Sequence, residues 1–344
     1  MTQSSAIIQA RAGQDFTISG HGNDEETGRP FDWTVVADGH GTDGFIDIVR
    51  KTDFRPHVGK ADPISSLVAH FKTFDGTYRP RVDNIYMISK RTPSGCTFIL
   101  IKMYDNEFEG LPRKLEGYNV GDSQFAVYVD GVRTFLSTPH NMDNPKEVER
   151  LKDRPRVRVI PEANPIAVII SPTDIKAVAC NYVLFEDKTK IALTQAFGHE
   201  FITGVDAEKY VLEFTATQWV KWIAASDGFW DMCILQGEHA LQDEEDILTK
   251  SAEELASKAH NRWKQKWNFY WNDAKPEVFH ESSFPENNYD DIVVAIGTNA
   301  VVAASIESVT LTDVSLSGIP AAIPGKVPIF EDSGYVAAML SGTI

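Results

Sequence analysis

Three apolar runs, far apart in the chain, each abut aspartate. DWTVVAD closes on Asp38, VKWIAASDG reaches Asp227, and DDIVVAIG opens with Asp290 and Asp291. Rich in β-branched and aromatic residues, the runs read as buried strands. One strand that ends in Asp-Gly is ordinarily just a turn at a sheet rim. Three together constrain more: if the last strand runs antiparallel to the other two, every one of these carboxylates emerges at one end of the sheets. YNVGDSQFAVYV adds Asp122, read as the turn of a hairpin. Carboxylates crowded in this way repel one another and hold protons more tightly unless a cation neutralises them. Hard oxygen donors with no His or Cys among the candidates favour Mg2+ or Mn2+ over zinc.

The totals bound what such a chain does. With 344 residues, 42% of them apolar, it is long enough for one large domain or two medium ones. A formal charge of −16 argues against nucleic acid as a partner, because phosphate backbones are held by clustered Lys and Arg. Cys96, Cys180 and Cys233 do not pair evenly and sit in or beside apolar stretches, which favours a cytoplasmic or other reducing intracellular compartment. The first residues lack a basic start followed by a long apolar core. No segment reaches the roughly 18 uninterrupted apolar residues of a spanning helix, so no membrane association is expected.

Strand-like runs dominate the first half: DWTVVAD, CTFILIKMY, EGYNVG, QFAVYVDG and VRTFLS, punctuated by Gly, Asn and Asp. Helices interrupt them at GTDGFIDIVRKTDF and at NPKEVERLKDR, which begins with Asn144 and Pro145. The longest helix is predicted in TKSAEELASKAHNRWKQKWNFYW, where Ser251 and Glu254 form a capping-box pair and Trp263, Trp267 and Trp271 recur every four residues. These tryptophans are expected to pack on a sheet. Residues 300–344 are poor in charge and too apolar for an ordinary disordered linker. That C-terminal extension is expected either to pack along the domain of residues 1–299 or to mediate self-association.

Taken in order, ADGHGTDG, SGCTFIL, NVGDSQFAVYVDG, LSTPHNMDNPKEVERL, IALTQAFG, IAASDGFWD and DDIVVAIG resemble the motifs of the metal-dependent protein serine/threonine phosphatases of the type 2C class. The resemblance spans roughly residues 15 to 298. It implies an α+β fold, a four-layer αββα sandwich of two antiparallel sheets flanked by helices. It also implies hydrolysis of phosphoserine and phosphothreonine in phosphoprotein substrates by a water bridging two Mn2+ or Mg2+ ions. Asp38 matches the acid that bridges the ions, and Gly39 the residue that lends a backbone carbonyl. Asp227 and Asp290 match the remaining ligands, and Asp122 an acid that helps hold a third, weaker metal. His40 matches the proton donor to the leaving alkoxide. In GHGNDEETG, Asp24, favoured over Glu25, resembles the acidic N-terminal motif and is expected to hold metal-bound water.

Departures from the pattern accompany the matches. The family usually places an arginine a few residues before the acidic motif to bind substrate phosphate, and FTISGHGNDEE has none; either one of Arg11 and Arg29, which flank the stretch, substitutes, or the metals and ordered water carry phosphate binding unaided. His199 in QAFGHE stands where the family tends to have Asp, and Asp291 where it commonly has Asn. His140 is read as a core or surface residue. GHEFITGVDAEKYV is expected to form a mobile flap beside the metals. The missing arginine motivates an alternative from another class: a pseudophosphatase, a binding or regulatory module without turnover. Retention of so many converging acids argues for the enzyme.

Overall fold

The computed structural model describes residues 2–74, 94–105, 108, 110–154, 157–160, 166–169, 175–178, 182–185, 190–199, 203–233, 240–270 and 280–299. In chain order the strands are β1 (Thr2–Ile8), β2 (Asp15–Asn23), β3 (Pro30–His40), β4 (Gly95–Cys96), β5 (Phe98–Tyr104), β6 (Arg113–Val120), β7 (Gln124–Val129), β8 (Val132–Leu136) and β9 (Val157–Ile160). They continue as β10 (Ile166–Ile169), β11 (Ile175–Val178), β12 (Tyr182–Phe185), β13 (Lys190–Ile191), β14 (Glu208–Phe214), β15 (Val220–Ala225), β16 (Lys266–Tyr270), β17 (His280–Ser283) and β18 (Ile292–Thr298).

Two antiparallel sheets carry the molecule. One has the order β14-β6-β5-β3-β2 with β4 paired to β3, and the other the order β1-β18-β15-β7-β8. They meet face to face across Val36, Ile99, Ile101 and Leu115 from the first and Phe125, Val127, Trp222 and Val293 from the second. Burial on both faces explains why β5 and β15 read as continuous apolar runs: every residue of each is buried. Helices α1 (Asp43–Lys51) and α2 (Pro63–Lys72) cover the outer face of the first sheet, laying Phe45, Ile46, Val49, Leu67 and Phe71 on Val35, Phe98 and Leu100. The helix Ala252–Lys264 covers the second through Leu255, Ala256, Ala259 and Trp263 against Tyr128, Ile223 and Val294. The layers are therefore αββα, the expected architecture. Two smaller sheets accompany them, β11-β10-β16-β17 and β13-β12-β9.

Local signals hold where the side chain itself makes the bond. Asn144 caps its helix by accepting from the Lys146 N–H, and Ser251 and Glu254 complete both halves of the capping box. Three expectations need correction. The tryptophan-spaced helix stops at Lys264, and Trp267 lies in β16, which pairs with β10 and β17. KWNFY is rich in strand-forming aromatics, and partners on both sides outweigh a four-residue spacing that fitted a helix equally well. Trp271 lies outside the described residues. Asp122 does not turn a hairpin: β6 pairs with β5 and β14, β7 with β15 and β8, so Gly121–Ser123 carry the chain from one sheet to the other. Most of the second half of the expected flap is strand, with Glu208–Phe214 forming an edge of the first sheet. Residues 300–344, and with them the expected extension, lie outside the described residues, as does Cys180. No helix among the described residues is long and apolar enough to cross a membrane.

Candidate active site

Both large sheets deliver acids to the same rim. β3 ends in Asp38-Gly39-His40, and β2 begins with Asp15, which is the register partner of Asp38. On the other sheet β15 leads into Ser226 and Asp227, while β18, antiparallel to it, is entered through Asp290 and Asp291. The crossover supplies Asp122. A cleft of about 460 Å³ opens there, lined by Arg11, Asp38, Gly39, His40, Asp122, Asp227 and Asp290, among others.

Hydrogen bonds from behind fix these positions. Thr97 Oγ1 accepts from the Asp38 N–H (3.1 Å) and bonds Ser123 Oγ (2.7 Å), tying the end of β3 to the crossover. His140 is buried and holds the same crossover from the other side, its Nδ1 accepting from the Gly121 N–H at 3.1 Å and its own N–H donating to the Gly121 carbonyl at 2.9 Å. That is the structural role expected of it. Ser226 Oγ accepts from the Val293 N–H and donates to Asp15 Oδ2, both at 3.0 Å. Gly228 is required by proximity: a Cβ there would stand 2.1 Å from the Asp291 carbonyl oxygen.

The electrostatics of the rim are one-sided. Asp38 and Asp15 hold protons far more tightly than ordinary aspartates, because burial penalises their charge and neighbouring carboxylates add repulsion: Asp15, Asp227 and Asp290 for the first, Asp227, Asp291 and Asp290 for the second. Burial, then Asp122 and Asp231, lift Asp227 to about 7. Burial, then Asp231 and Asp290, lift Asp122 to about 7. Asp290 rises to about 8 from burial with Asp227 and Asp231, moderated by Arg11. Oδ1 of Asp15 and Oδ1 of Asp227 are buried without a hydrogen-bond partner.

Among the described residues no three His, Cys, Asp or Glu side chains are already arranged to hold a metal ion. Their chemistry nevertheless fits a hard divalent cation. The donors are all oxygen, two are buried and unsatisfied, and the mutual repulsion is what such a cation would relieve.

His40 borders the cleft, and its Nε2 lies 2.9 Å from Nε2 of His199 in a tilted ring pair. Burial pulls the His40 pKa down to about 4, so the ring is neutral at physiological pH. Of the two candidate phosphate-binding arginines, Arg11 is exposed at the cleft. Arg29 is buried elsewhere, its guanidinium 5.0 Å from the Tyr104 ring centroid.

Asp24 is not brought to this rim. It follows the far end of β2, on the order of 30 Å along the strand from Asp15, where Thr27 and the Tyr104 hydroxyl donate to its carboxylate. The acid beside Asp38 is Asp15, which the sequence reading passed over together with Asp231. The signal for Asp15 was weak: it opens a strand, as Asp290 and Asp291 precede one, but DFTISGHGN carries only Phe16 and Ile18 as large apolar residues. GHGNDEETG resembles the family's acidic N-terminal motif, but the register of β2 against β3 puts it at the opposite end of the hairpin from Asp38. Asp231, one residue past the short helix Asp227–Trp230, follows no strand-end rule.

No family model matches the chain, and no curated protein matches it. Among solved structures it is similar to a sex determining protein of C. elegans, with 14% identity and a TM-score of 0.45 over 87% of this chain and 65% of that one, so that it spans less than two thirds of that protein's length. It is also similar to the S. agalactiae serine/threonine phosphatase, with 15% identity and a TM-score of 0.43 over 86% of this chain and 98% of that one. A third likeness is to the PPM Ser-Thr phosphatase MsPP of Mycobacterium smegmatis in complex with cacodylate, with 15% identity and a TM-score of 0.44 over 86% of this chain and 97% of that one.

Proposed function

We propose that the cleft hydrolyses phosphoserine and phosphothreonine esters in proteins with the help of Mn2+ or Mg2+. The observation that carries this reading is the gathering of Asp15, Asp38, Asp122, Asp227, Asp231 and Asp290, from both sheets, into mutual repulsion at one rim. Asp38 with the Gly39 carbonyl, Asp227 and Asp290 would hold the principal ions, and Asp122 with Asp231 a further one. Such ions supply positive charge that makes water nucleophilic near neutrality and offsets the charge of a transferring phosphoryl group.

The chain's own residues do the rest. Arg11 presents a forked cation to the phosphate oxygens. Ser226 and Thr97 keep the acids in register from behind. His40 is the candidate to give a proton to the leaving alkoxide, a role that requires bound substrate to raise the proton affinity of a ring that is otherwise neutral, against the opposing charge of the ions. Mn2+-dependent phosphate release from a phosphopeptide tests this, set beside Asp38→Ala and Asp227→Ala. Loss of release in both variants is expected, and equal rates in all three proteins would refute it.

One observation favours the rival module without turnover. His40 spends its Nε2 on His199 and is held at a pKa of about 4. Calorimetric titration with Mn2+ separates the readings: tight metal binding with no turnover of any phosphopeptide selects the module.

A further inference from the structure

The loop between β1 and β2 carries both Arg11 and Gln14 to the cleft, and it is closed in an unusual way. Four successive backbone N–H groups donate to a single carboxylate, that of Asp291: Arg11 at 2.7 Å and Ala12 at 3.1 Å, Gly13 at 2.6 Å and Gln14 at 3.1 Å. Gly13 has φ +70, the left-handed conformation that lets consecutive N–H groups point to one centre. Asp291 is 4% exposed, so the accepting carboxylate is shielded from water although Arg11 and Ala12 are themselves exposed. Arg50 clasps the loop from outside by donating to the Gly13 carbonyl.

We propose that Asp291 is a positioning residue: by caging the backbone of residues 11–14 it holds the Arg11 guanidinium at the mouth of the cleft and Asp15 against Asp38. The cage explains why an aspartate rather than an asparagine suits this chain. Oδ2 accepts from Ala12, Gly13 and Gln14 and Oδ1 from Arg11; an asparagine would keep one uncharged oxygen for the three, losing the charge that strengthens these bonds, and would set its amide N–H groups against the Arg11 N–H. The role assigned to Arg11 rests on the proposed phosphatase reading; the cage does not.

The test has two arms. In wild-type protein, hydrogen exchange of amides 11–14 is expected to be as slow as in the strands they join, and in Asp291→Asn to become fast while the sheets stay protected. Inorganic phosphate, titrated in the presence of Mn2+, is expected to bind about tenfold more weakly in Arg11→Ala and in Asp291→Asn, with the double variant no weaker than Arg11→Ala alone. Fast exchange in the wild type, or unchanged exchange in Asp291→Asn, overturns the cage. Phosphate affinity lost in Arg11→Ala but kept in Asp291→Asn overturns the positioning role. A wild-type protein that binds no phosphate defeats the phosphatase reading instead, and the exchange arm still decides the cage.

Discussion

The two ends of the β2–β3 hairpin are both crowded with partly or fully buried charge, and they solve the problem in opposite ways. At the far end Lys102 lies 3.4 Å from Glu116 and Lys114 lies 2.8 Å from it, Tyr118 donates to the same carboxylate, and Tyr104 donates to Asp24. Burial alone would raise the proton affinities of Asp24 and Glu116. Hydrogen bonds from Thr27 to the first and from Lys114 to the second, with the charge of Lys102, outweigh it and hold both below their ordinary values. At the near end the same hairpin brings Asp15 and Asp38 together, and both carboxyl shifts run upward. A charge cluster that balances itself is architecture. One that leaves acids facing acids stores a demand for an outside cation, and that imbalance separates a site from a strut.

Substitutions break the comparison from either side. The largest effect belongs to Asp38→Ala and Asp227→Ala, which should cut Mn2+-dependent phosphopeptide hydrolysis by about a thousandfold or more, measured as initial rates, since several kcal/mol of charge stabilisation is lost. At the far end Glu116→Ala leaves Lys102 buried and unpaired, and should cost about 3–5 kcal/mol of stability by denaturant unfolding while leaving Mn2+ affinity unchanged. pH sharpens the contrast. Folded-state pKa values of about 7 to 8 for Asp122, Asp227 and Asp290 stand above their unfolded values. The folded protein therefore binds more protons, and without metal its stability falls as pH rises from about 4 through 8. Melting temperatures in chelator should decline over that range, and added Mn2+ should restore them at pH 8 with proton release detectable in calorimetry across buffers. The smallest effect is that of Asp24→Asn, expected to cost about 1 kcal/mol through its lost hydrogen bonds and to leave Mn2+ affinity unmoved.

Much of this was legible in the chain because it is written in strand ends. Asp38, Asp227 and Asp290 announce themselves where an apolar run meets a carboxylate, and β18 runs antiparallel to β15 as expected, while β3 belongs to the other sheet and is not paired with β18. Asp122 reached the rim by a different route, in a crossover between sheets rather than a hairpin, because pairing partners of β6 and β7 are chosen by tertiary contacts that local pattern does not encode. Asp24 was expected from a resemblance of GHGNDEETG to an acidic motif, which carries no information on strand register, and only the register of β2 against β3 shows which end of the strand faces Asp38. The His40–His199 pair joins residues 159 positions apart and had no local signal at all.

The central claim is that acids from two sheets converge to hold divalent ions. A crystal of the protein grown with Mn2+, examined by anomalous scattering at the manganese edge, tests it most directly. The account predicts peaks in the cleft within about 2.1 Å of carboxylate oxygens from Asp38, Asp227 and Asp290. A cleft without peaks at saturating Mn2+, with those side chains still turned to one another, would contradict it.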